Sequence, residues 1–503
     1  MKNLQLFLLL SLSLNVFAQN VKDKIKIFED DLLGWDTSKN KKWTLKERMA
    51  FYSMNAISIA VIKDYKVEWS KAYGYADVAE NRPATTQTLF QAASISKSIN
   101  SIGLLKLVEQ GKLNLDDDIN NYLKTWKFPY DSLSKGKKIS IANLLSHKAG
   151  LTVHGFGGYE KGKDLPALIQ ILNGQEPANS PAVRSAFEPD LTFQYSGGGT
   201  TITQLILENT TGEKYEDYMW KNVLTPLAMN ESSYNQPPSQ DKEKLLATAY
   251  NNGKEVKGKY HIYPEKAAAG LWTNPNDLAK YIIETQLSLI GKSNKILSRE
   301  MYVKRIENNY GVFLNYFKGT KYFSHSGGNE GFVCYYIGSV EDGNGLVVMT
   351  NGNNFKLIDE ILLRIASLNH WKNYPIEPQK ESIRLTIRQE CLKNIDKGIA
   401  LYKDLKKKKL NDYNFSNENE LNDLGYEFLK DQKTDSAIKI FSLNVNEFPN
   451  SGNVYDSRGE AYFNKKEYVL SKSDYEKSLK LDPNNNNAKE MLLKINQILS
   501  AKK

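Results

Sequence analysis

The apolar pattern of this 503-residue chain changes character at a short polar segment bounded by Pro375 and Pro378. Before this segment, strand-like and helix-like stretches alternate; after it, the chain is lysine-rich and helical in pattern. Proline fixes its own φ and disfavours helix at the preceding residue, so the two prolines predict a linker. The chain is also longer than one compact core normally spans. We therefore expect a first domain over 19–374, a linker over 375–382 and a small all-α domain over 383–503.

The first domain is predicted to be α+β, with strands and helices in one core. Short β-branched runs separated by polar turns favour strands, and apolar residues at helical spacing favour helices. The runs that predict strands are 57–62, 67–73, 332–337 and 345–349, and those that predict helices are 94–110 and 358–368. The first two strands form a predicted hairpin. We expect the N- and C-terminal strands of this domain to share one sheet.

The second domain carries a repeat with a period of 34 residues. Leu424-Gly425, Phe428, Ala437, Phe441 and Pro449 are matched by Arg458-Gly459, Tyr462, Ser471, Tyr475 and Pro483. This pattern resembles the tetratricopeptide repeat, in which two helices per unit pack through small and aromatic positions and offer a surface to a protein partner. Because a free-standing array needs about three units, we expect flanking helices over 383–405 and 488–499 to cap the two. Two unrelated amphipathic hairpins are the alternative.

The N-terminus has the pattern of an export signal. Lys2 precedes an apolar run from Leu4 to Val16, and Ala18 supplies a small residue at the expected cleavage point. We predict a signal peptide over 1–18 and a periplasmic or secreted mature protein, with no cysteine near the cut for a lipid anchor. No later segment reaches the roughly 20 apolar residues of a membrane span. Cys334 and Cys391 fall in different predicted domains, so we expect two buried thiols and no disulfide.

Charge and motif searches exclude several classes of function. The formal charge of +9 is spread over scattered lysines, without an arginine-rich helix or an RNA-binding signature, so nucleic-acid binding is not expected. Neither Gly-x-Ser-x-Gly nor His-Glu-x-x-His occurs, and the five histidines show no metal-ligand spacing. We therefore predict neither a metal site nor an organic cofactor.

One serine has a basic partner at a useful spacing. A serine becomes a good nucleophile only when a neighbouring base takes its proton. In Ser94-Ile95-Ser96-Lys97, the serine and the lysine lie three positions apart, on one face of a helix. Seven Ser-x-x-Lys matches occur, beginning at Ser38, Ser94, Ser132, Ser134, Ser239, Ser436 and Ser500. Only Ser94 opens a long apolar helix, whose N-terminal dipole favours negative charge on the serine oxygen.

Two further motifs follow in order along the chain. Tyr195 precedes three glycines at 197–199, and His325-Ser326-Gly327-Gly328 precedes a predicted strand. Together the three motifs resemble the serine β-lactamases, the penicillin-binding DD-peptidases and related esterases, specifically the class C branch, whose order is S-x-x-K, Y-x-N and K-T-G. The stretches 144–151 and 268–272 match as well. The resemblance covers roughly residues 45–370 and implies a β-lactamase/transpeptidase-like fold, with an antiparallel sheet and helices.

The resemblance also implies a role for each motif residue. It makes Ser94 the acylated nucleophile, Lys97 its proton partner and Tyr195 the relay to the leaving group. The backbone N–H groups of Ser94 and Gly328 would form the oxyanion hole. His325, Ser326 and Gly327 would line the substrate.

Two positions depart from the family pattern. Gly197 replaces an asparagine, which removes a side-chain amide, and His325 replaces a lysine. We expect His325, at the position of the family lysine, to contact substrate. Because an ordinary imidazole titrates near pH ~6.5, this contact should favour anionic substrates only below that pH. A structural role at a strand end is the alternative for His325, and for His147, at an apparent helix end, a structural role is expected. Both departures weaken the case for β-lactam hydrolysis.

The sequence thus predicts an exported serine acyl-hydrolase that acts through an acyl-enzyme at Ser94. Its substrate is a small molecule or a peptide with an ester or amide bond; esterase, D-amino-acid peptidase and β-lactamase activities all stay open. The alternative is a catalytically inert scaffold protein that uses its repeat domain for protein interaction.

Overall fold

The computed structural model describes residues 19–34, 36, 42–376, 380–483 and 485–500. It divides into two compact units, 1–377 and 378–503. The predicted signal peptide over 1–18 and residues 377–379 of the predicted linker lie outside the described residues. In the described part of the chain, no helix is both long and apolar enough to cross a membrane.

The first unit is built on a seven-stranded antiparallel sheet with the order β10-β11-β12-β13-β1-β2-β3. Three two-stranded ribbons, β4-β9, β5-β8 and β6-β7, accompany it. The strands are β1 (Ala56–Lys63), β2 (Lys66–Asp77), β3 (Arg82–Pro83), β4 (Phe90–Gln91), β5 (Tyr159–Glu160), β6 (Tyr250–Asn251), β7 (Lys254–Glu255), β8 (His261–Ile262), β9 (Trp272–Thr273), β10 (Phe313–Phe317), β11 (Thr320–Asn329), β12 (Phe332–Ser339) and β13 (Gly345–Thr350).

The sheet confirms the predicted union of N- and C-terminal strands. Strand β1 forms the predicted hairpin with β2 and pairs on its other edge with β13, where Ile57 lies opposite Thr350. All of β13 and all but the last residue of β1 are buried. The helices of this unit are α1 (19–30), α2 (Leu45–Phe51), α3 (Ser96–Glu109), α4 (Ile141–Leu145), α5 (Leu168–Asn173), α6 (Gly197–Thr211), α7 (Tyr215–Met219), α8 (Lys266–Ala269), α9 (Pro275–Leu289), α10 (Arg299–Glu307) and α11 (Phe355–Leu368). Of these, α9 packs on β1 and β13, and α11 packs on β13.

Helix α3 is almost completely buried in the core of the first unit. The sequence predicts one helix over 94–110; the chain instead forms a 3-10 turn over Ala93–Ile95 and then α3. Its polar side chains are satisfied inside the core: Ser98 Oγ donates to the Gly311 carbonyl at 2.6 Å, and Asn100 Nδ2 donates to Thr203 Oγ1 at 2.9 Å. Buried polar groups that are all hydrogen-bonded hold a helix in one position. The turn that carries Ser94 is therefore fixed in the core.

The second unit is all-α, as predicted. Its helices are α12 (Ile383–Lys393), α13 (Ile395–Lys408), α14 (Asn419–Lys430), α15 (Thr434–Glu447), α16 (Gly452–Asn464), α17 (Tyr468–Leu481) and α18 (Asn486–Ser500). The single helix predicted over 383–405 is wrong: the chain breaks at Asn394, which is extended and accepts the Lys397 N–H with its side chain to start α13. Each 34-residue repeat forms one helical hairpin. A Cβ at Gly425 would lie 2.3 Å from Phe441 Cε1, so the glycine permits close packing of α14 on α15.

Both cysteines are free and buried, as expected. Burial raises the pKa of the Cys334 thiol well above its ordinary value and that of Cys391 to about 12. Both therefore stay as inert thiols at neutral pH.

Candidate active site

Ser94 is partly accessible to solvent, although it lies within a long buried segment. From Thr88 to Leu105 every residue is buried except Ser94, which is half-buried. Lys97 is only 4% exposed, and its Nζ lies 3.0 Å from Ser94 Oγ and 2.7 Å from the Ala268 carbonyl, to which it donates. The contact between the serine oxygen and the lysine nitrogen is the geometry that an activated serine needs.

The other Ser-x-x-Lys matches have lysines that are bound to carboxylates. For the four matches whose serine and lysine both lie in the described residues, the pairs are Lys135 with Glu188, Lys137 with Glu188, Lys242 with Glu231 and Lys439 with Asp396. A carboxylate partner competes with the serine for the lysine nitrogen. Lys97 instead meets a hydroxyl and a carbonyl, so the structure distinguishes Ser94 from these four serines.

The turn before Ser94 is strained and held by its neighbours. Ala93 has φ +48°, in the left-handed region that residues with a Cβ rarely adopt. The Ala92 N–H donates to the Leu271 carbonyl at 2.8 Å. A Cβ at Gly327 would lie 2.3 Å from the Ala92 oxygen, so strand β11 passes directly against this turn. Gly327 is thus required because β11 passes so close to the turn that carries Ser94.

Tyr195 is the second motif residue that lies close to Lys97. Its half-buried ring has the Lys97 Nζ 5.0 Å from its centroid. The following residue, Ser196, caps α6 through its Oγ, which accepts the Gly199 N–H at 2.9 Å. The glycines after Tyr195 therefore begin a helix, and the structure brings the side chains of Ser94, Lys97 and Tyr195 together.

His147 holds the segment around Tyr195 by three contacts, a role that the sequence does not reveal. Its carbonyl accepts the Gln194 N–H at 2.8 Å, its Nδ1 accepts the Ser196 N–H at 3.2 Å, and its ring lies 4.4 Å from the Tyr195 ring. It follows Ser146, the C-cap of α4, as expected for a helix end, and has φ +57°. Burial, and then the positive charge of Lys97, lower the pKa of His147 well below its ordinary value, so the ring is neutral.

His325 occupies an apolar environment behind Tyr195. It is 2% exposed, and its ring lies 4.9 Å from Phe313 and 6.2 Å from Tyr195. Burial, followed by the charge of Lys97, lowers the pKa of His325 to about 3. The expected titration near pH 6.5 is therefore wrong, and so is the expected gain for anionic substrates below that pH. The Nδ1 lies 2.6 Å from the Ser326 carbonyl and donates to it, which leaves Nε2 as an acceptor.

The residues of the third motif alternate between buried and exposed positions along β11. Ser326 and Gly328 are exposed, whereas His325 and Gly327 are buried. The exposed pair lies on one face of the strand, since successive residues of a strand point to opposite faces. Within the described residues, no cluster of three or more His, Cys, Asp or Glu side chains is arranged to hold a metal ion.

Comparison with known proteins places this site in a family. The family model described as Beta-lactamase matches residues 44–367. The chain belongs to the beta-lactamase family. The matched range contains all three motifs and ends before the second unit.

Individual relatives agree with the family match. Protein flp of Staphylococcus aureus (strain N315) is 26% identical over 327 residues, which are 62% of this chain and 63% of that protein, so the match spans less than two thirds of that relative. The octameric penicillin-binding protein homologue from Pyrococcus abyssi has a TM-score of 0.56 at 26% identity, over 69% of this chain and 80% of its own. D-amino acid amidase from Ochrobactrum anthropi SV3 shares the fold, with a TM-score of 0.52 at 20% identity over 64% and 96%.

The depressed pKa of His325 predicts a pH dependence of stability. The folded pKa is about 3 and the unfolded one about 6.5, so between these values the unfolded chain binds one more proton and the free energy of unfolding falls as pH falls. From pH 7.5 to 4.5 this group should cost about 2–3 kcal/mol.

This loss should be absent in His325→Gln, measured by urea unfolding at both pH values. All seven tryptophans precede residue 377, so tryptophan fluorescence reports the first unit alone. The same acid dependence in wild type and His325→Gln would contradict the assigned burial of a neutral imidazole.

Proposed function

We propose that this chain is an exported serine acyl-hydrolase of the class C type, which forms an acyl-enzyme on Ser94. The observation that carries the proposal is the position of Lys97 Nζ, 3.0 Å from Ser94 Oγ and 5.0 Å from the Tyr195 ring centroid. Membership of the beta-lactamase family supports the same chemistry.

The reaction has two half-steps. Ser94 Oγ attacks the acyl carbon of an ester or amide and gives up its proton to the Lys97–Tyr195 pair. The bond from the acyl carbon to the leaving group then breaks, and Tyr195 returns the proton to the leaving oxygen or nitrogen. Water next attacks the acyl-enzyme, loses its proton to the same pair and releases the acid, while Ser94 regains its hydrogen.

The backbone N–H groups of Ser94 and Gly328 are the proposed oxyanion hole. The close packing of Gly327 on the Ala92 carbonyl supports this assignment, because it holds the next residue of β11 beside the nucleophile turn. Fixed backbone donors stabilise the developing oxyanion without reorganising during the reaction.

We propose a different role for each of the three residues that were expected to line the substrate, His325, Ser326 and Gly327. Ser326 is exposed and is proposed to meet substrate along β11. Gly327 acts by permitting the close approach of the strand. His325 is buried and is proposed to support the Tyr195 and Phe313 rings from behind.

Export and the helical tail complete the proposal. The signal-peptide pattern over 1–18 supports a periplasmic or secreted site of action. The 34-residue period, with Gly425 and Gly459 at matching close approaches, supports tetratricopeptide-like repeats that bind a protein partner.

The nucleophile is tested by kinetics on a short-chain aryl ester. Ser94→Ala, Lys97→Ala and Tyr195→Phe should each lower kcat/KM by at least about a thousandfold, and the double variants with Ser94→Ala should lose little more. Ser132→Ala is the matched control, because Ser132 opens another Ser-x-x-Lys match and its Lys135 is paired with Glu188. Activity of Ser94→Ala within a few-fold of wild type would refute the assignment of the nucleophile, whereas a wild type that hydrolyses no ester would favour the inert-scaffold alternative.

The contacts of His147 predict a graded effect on the same reaction. His147→Ala should lower kcat about ten- to a hundredfold with little change in KM, because a displaced Tyr195 no longer meets the reacting atoms. His147→Asn should recover part of the loss, since its Oδ1 can accept the Ser196 N–H and asparagine tolerates φ +57°. Equal kcat in wild type and His147→Ala would rule out a positioning role.

A further inference from the structure

Four phenylalanines surround the three motifs, and no motif accounts for them. We name Phe156, Phe193, Phe313 and Phe355 the aromatic rim. Two of its members are strongly exposed, Phe193 by 51% and Phe355 by 39%, although they lie beside the most buried part of the unit. Exposed aromatic surface that borders a reactive group is typical of a ligand-binding site.

Each rim residue contacts a part of the site. The Phe313 ring stacks at 6.4 Å on Tyr195, and Phe193 lies 6.3 Å from Phe313. A Cβ at Gly328, the proposed oxyanion donor, would lie 3.7 Å from the Phe355 ring. The rim therefore borders both the proton relay and the position of the substrate carbonyl.

The position of the missing asparagine is bordered by the fourth rim residue. A Cβ at Gly197 would lie 3.1 Å from Phe156 Cε2 and 3.1 Å from the His154 carbonyl. A side chain there would crowd both groups. The chain thus presents a phenyl ring beside the point where the family pattern has a side-chain amide.

The third motif offers a substrate no positive charge at position 325. The imidazole of His325 is neutral at physiological pH, and its Nε2 is a buried acceptor without a hydrogen-bond partner in the part of the chain that the structure describes. A carboxylate is itself only an acceptor, so it would gain nothing from this atom. Burial of an anion against phenyl rings would also cost its hydration.

We infer that the substrate carries a neutral, apolar acyl group, aliphatic or aryl, that packs on the aromatic rim. This inference rests on the proposed acyl transfer at Ser94 and names the substrate class for it. Apolar acyl surface is buried against Phe193 and Phe355 on binding, and a carboxylate on that acyl group is disfavoured.

The test compares three 4-nitrophenyl esters on the full chain: acetate, hexanoate and the monoester of adipic acid. Hexanoate and the adipate monoester have equal chain lengths and differ by a terminal methyl or carboxylate. High ionic strength screens the net positive charge of the chain. The hydrolysis that remains in Ser94→Ala is subtracted, so only reaction at Ser94 is scored.

We expect kcat/KM for hexanoate to exceed that for acetate about tenfold or more, and the adipate monoester to lose that gain. A fully buried methylene would contribute about fourfold, and partial burial less. Phe193→Ala and Phe355→Ala should each lower the hexanoate-to-acetate ratio at least about threefold. Phe193→Leu, which keeps apolar surface, should retain most of it.

Tyr316→Ala is the matched control. Tyr316 is 61% exposed on the same strand as Phe313, but three positions away and so on the opposite face. This variant should leave the ratio unchanged. A ratio near one in wild type, equal rates for hexanoate and the adipate monoester, or no effect of the rim variants would overturn the inference while the acyl-hydrolase proposal stands. If no ester is hydrolysed in a Ser94-dependent manner, the proposed function itself fails, and the inference fails with it.

Discussion

The contact between Lys97 Nζ and Ser94 Oγ depends on how α3 is buried. Serine and lysine three residues apart form this contact only if the lysine is kept away from carboxylates and water. Burial of Lys97 to 4% exposure, with the Ala268 carbonyl as its second partner, meets this condition. The four alternative pairs do not meet it, since their lysines lie on carboxylates. The proposed chemistry at Ser94 therefore depends on the packing around α3 more than on the motif itself.

Much of the fold follows from sequence because it depends on local pattern. The β-branched run at 57–62 and the helical spacing after Ser94 specify their elements, and the structure confirms the hairpin and the shared sheet. The break at Asn394 was missed because a single asparagine in a helical pattern gives a weak signal, while its side chain caps the next helix. The three motifs also identify residues that the fold brings together, because their order along the chain resembles one family.

Properties set by tertiary environment were not predictable. The His325 pKa depends on the rings of Phe313 and Tyr195 and on Lys97, which come from distant segments. His147 contacts residues 194–196 through a left-handed backbone conformation, two hydrogen bonds and a ring contact. No spacing of residues in the sequence indicates these contacts. The aromatic rim likewise assembles from four separate parts of the chain. The sequence identifies the proposed reacting groups, and packing determines their neighbours and the surface that surrounds them.

The central claim is that Ser94 alone carries the acyl group during turnover. Mass spectrometry after brief incubation with a slowly deacylating aryl ester or a reactive phosphonate tests this claim directly, with peptide mapping to locate the added mass. The account predicts one equivalent on the peptide that contains Ser94, absent from Ser94→Ala and unaffected by Ser132→Ala. Equal labelling of wild type and Ser94→Ala, or label on another serine, would contradict it.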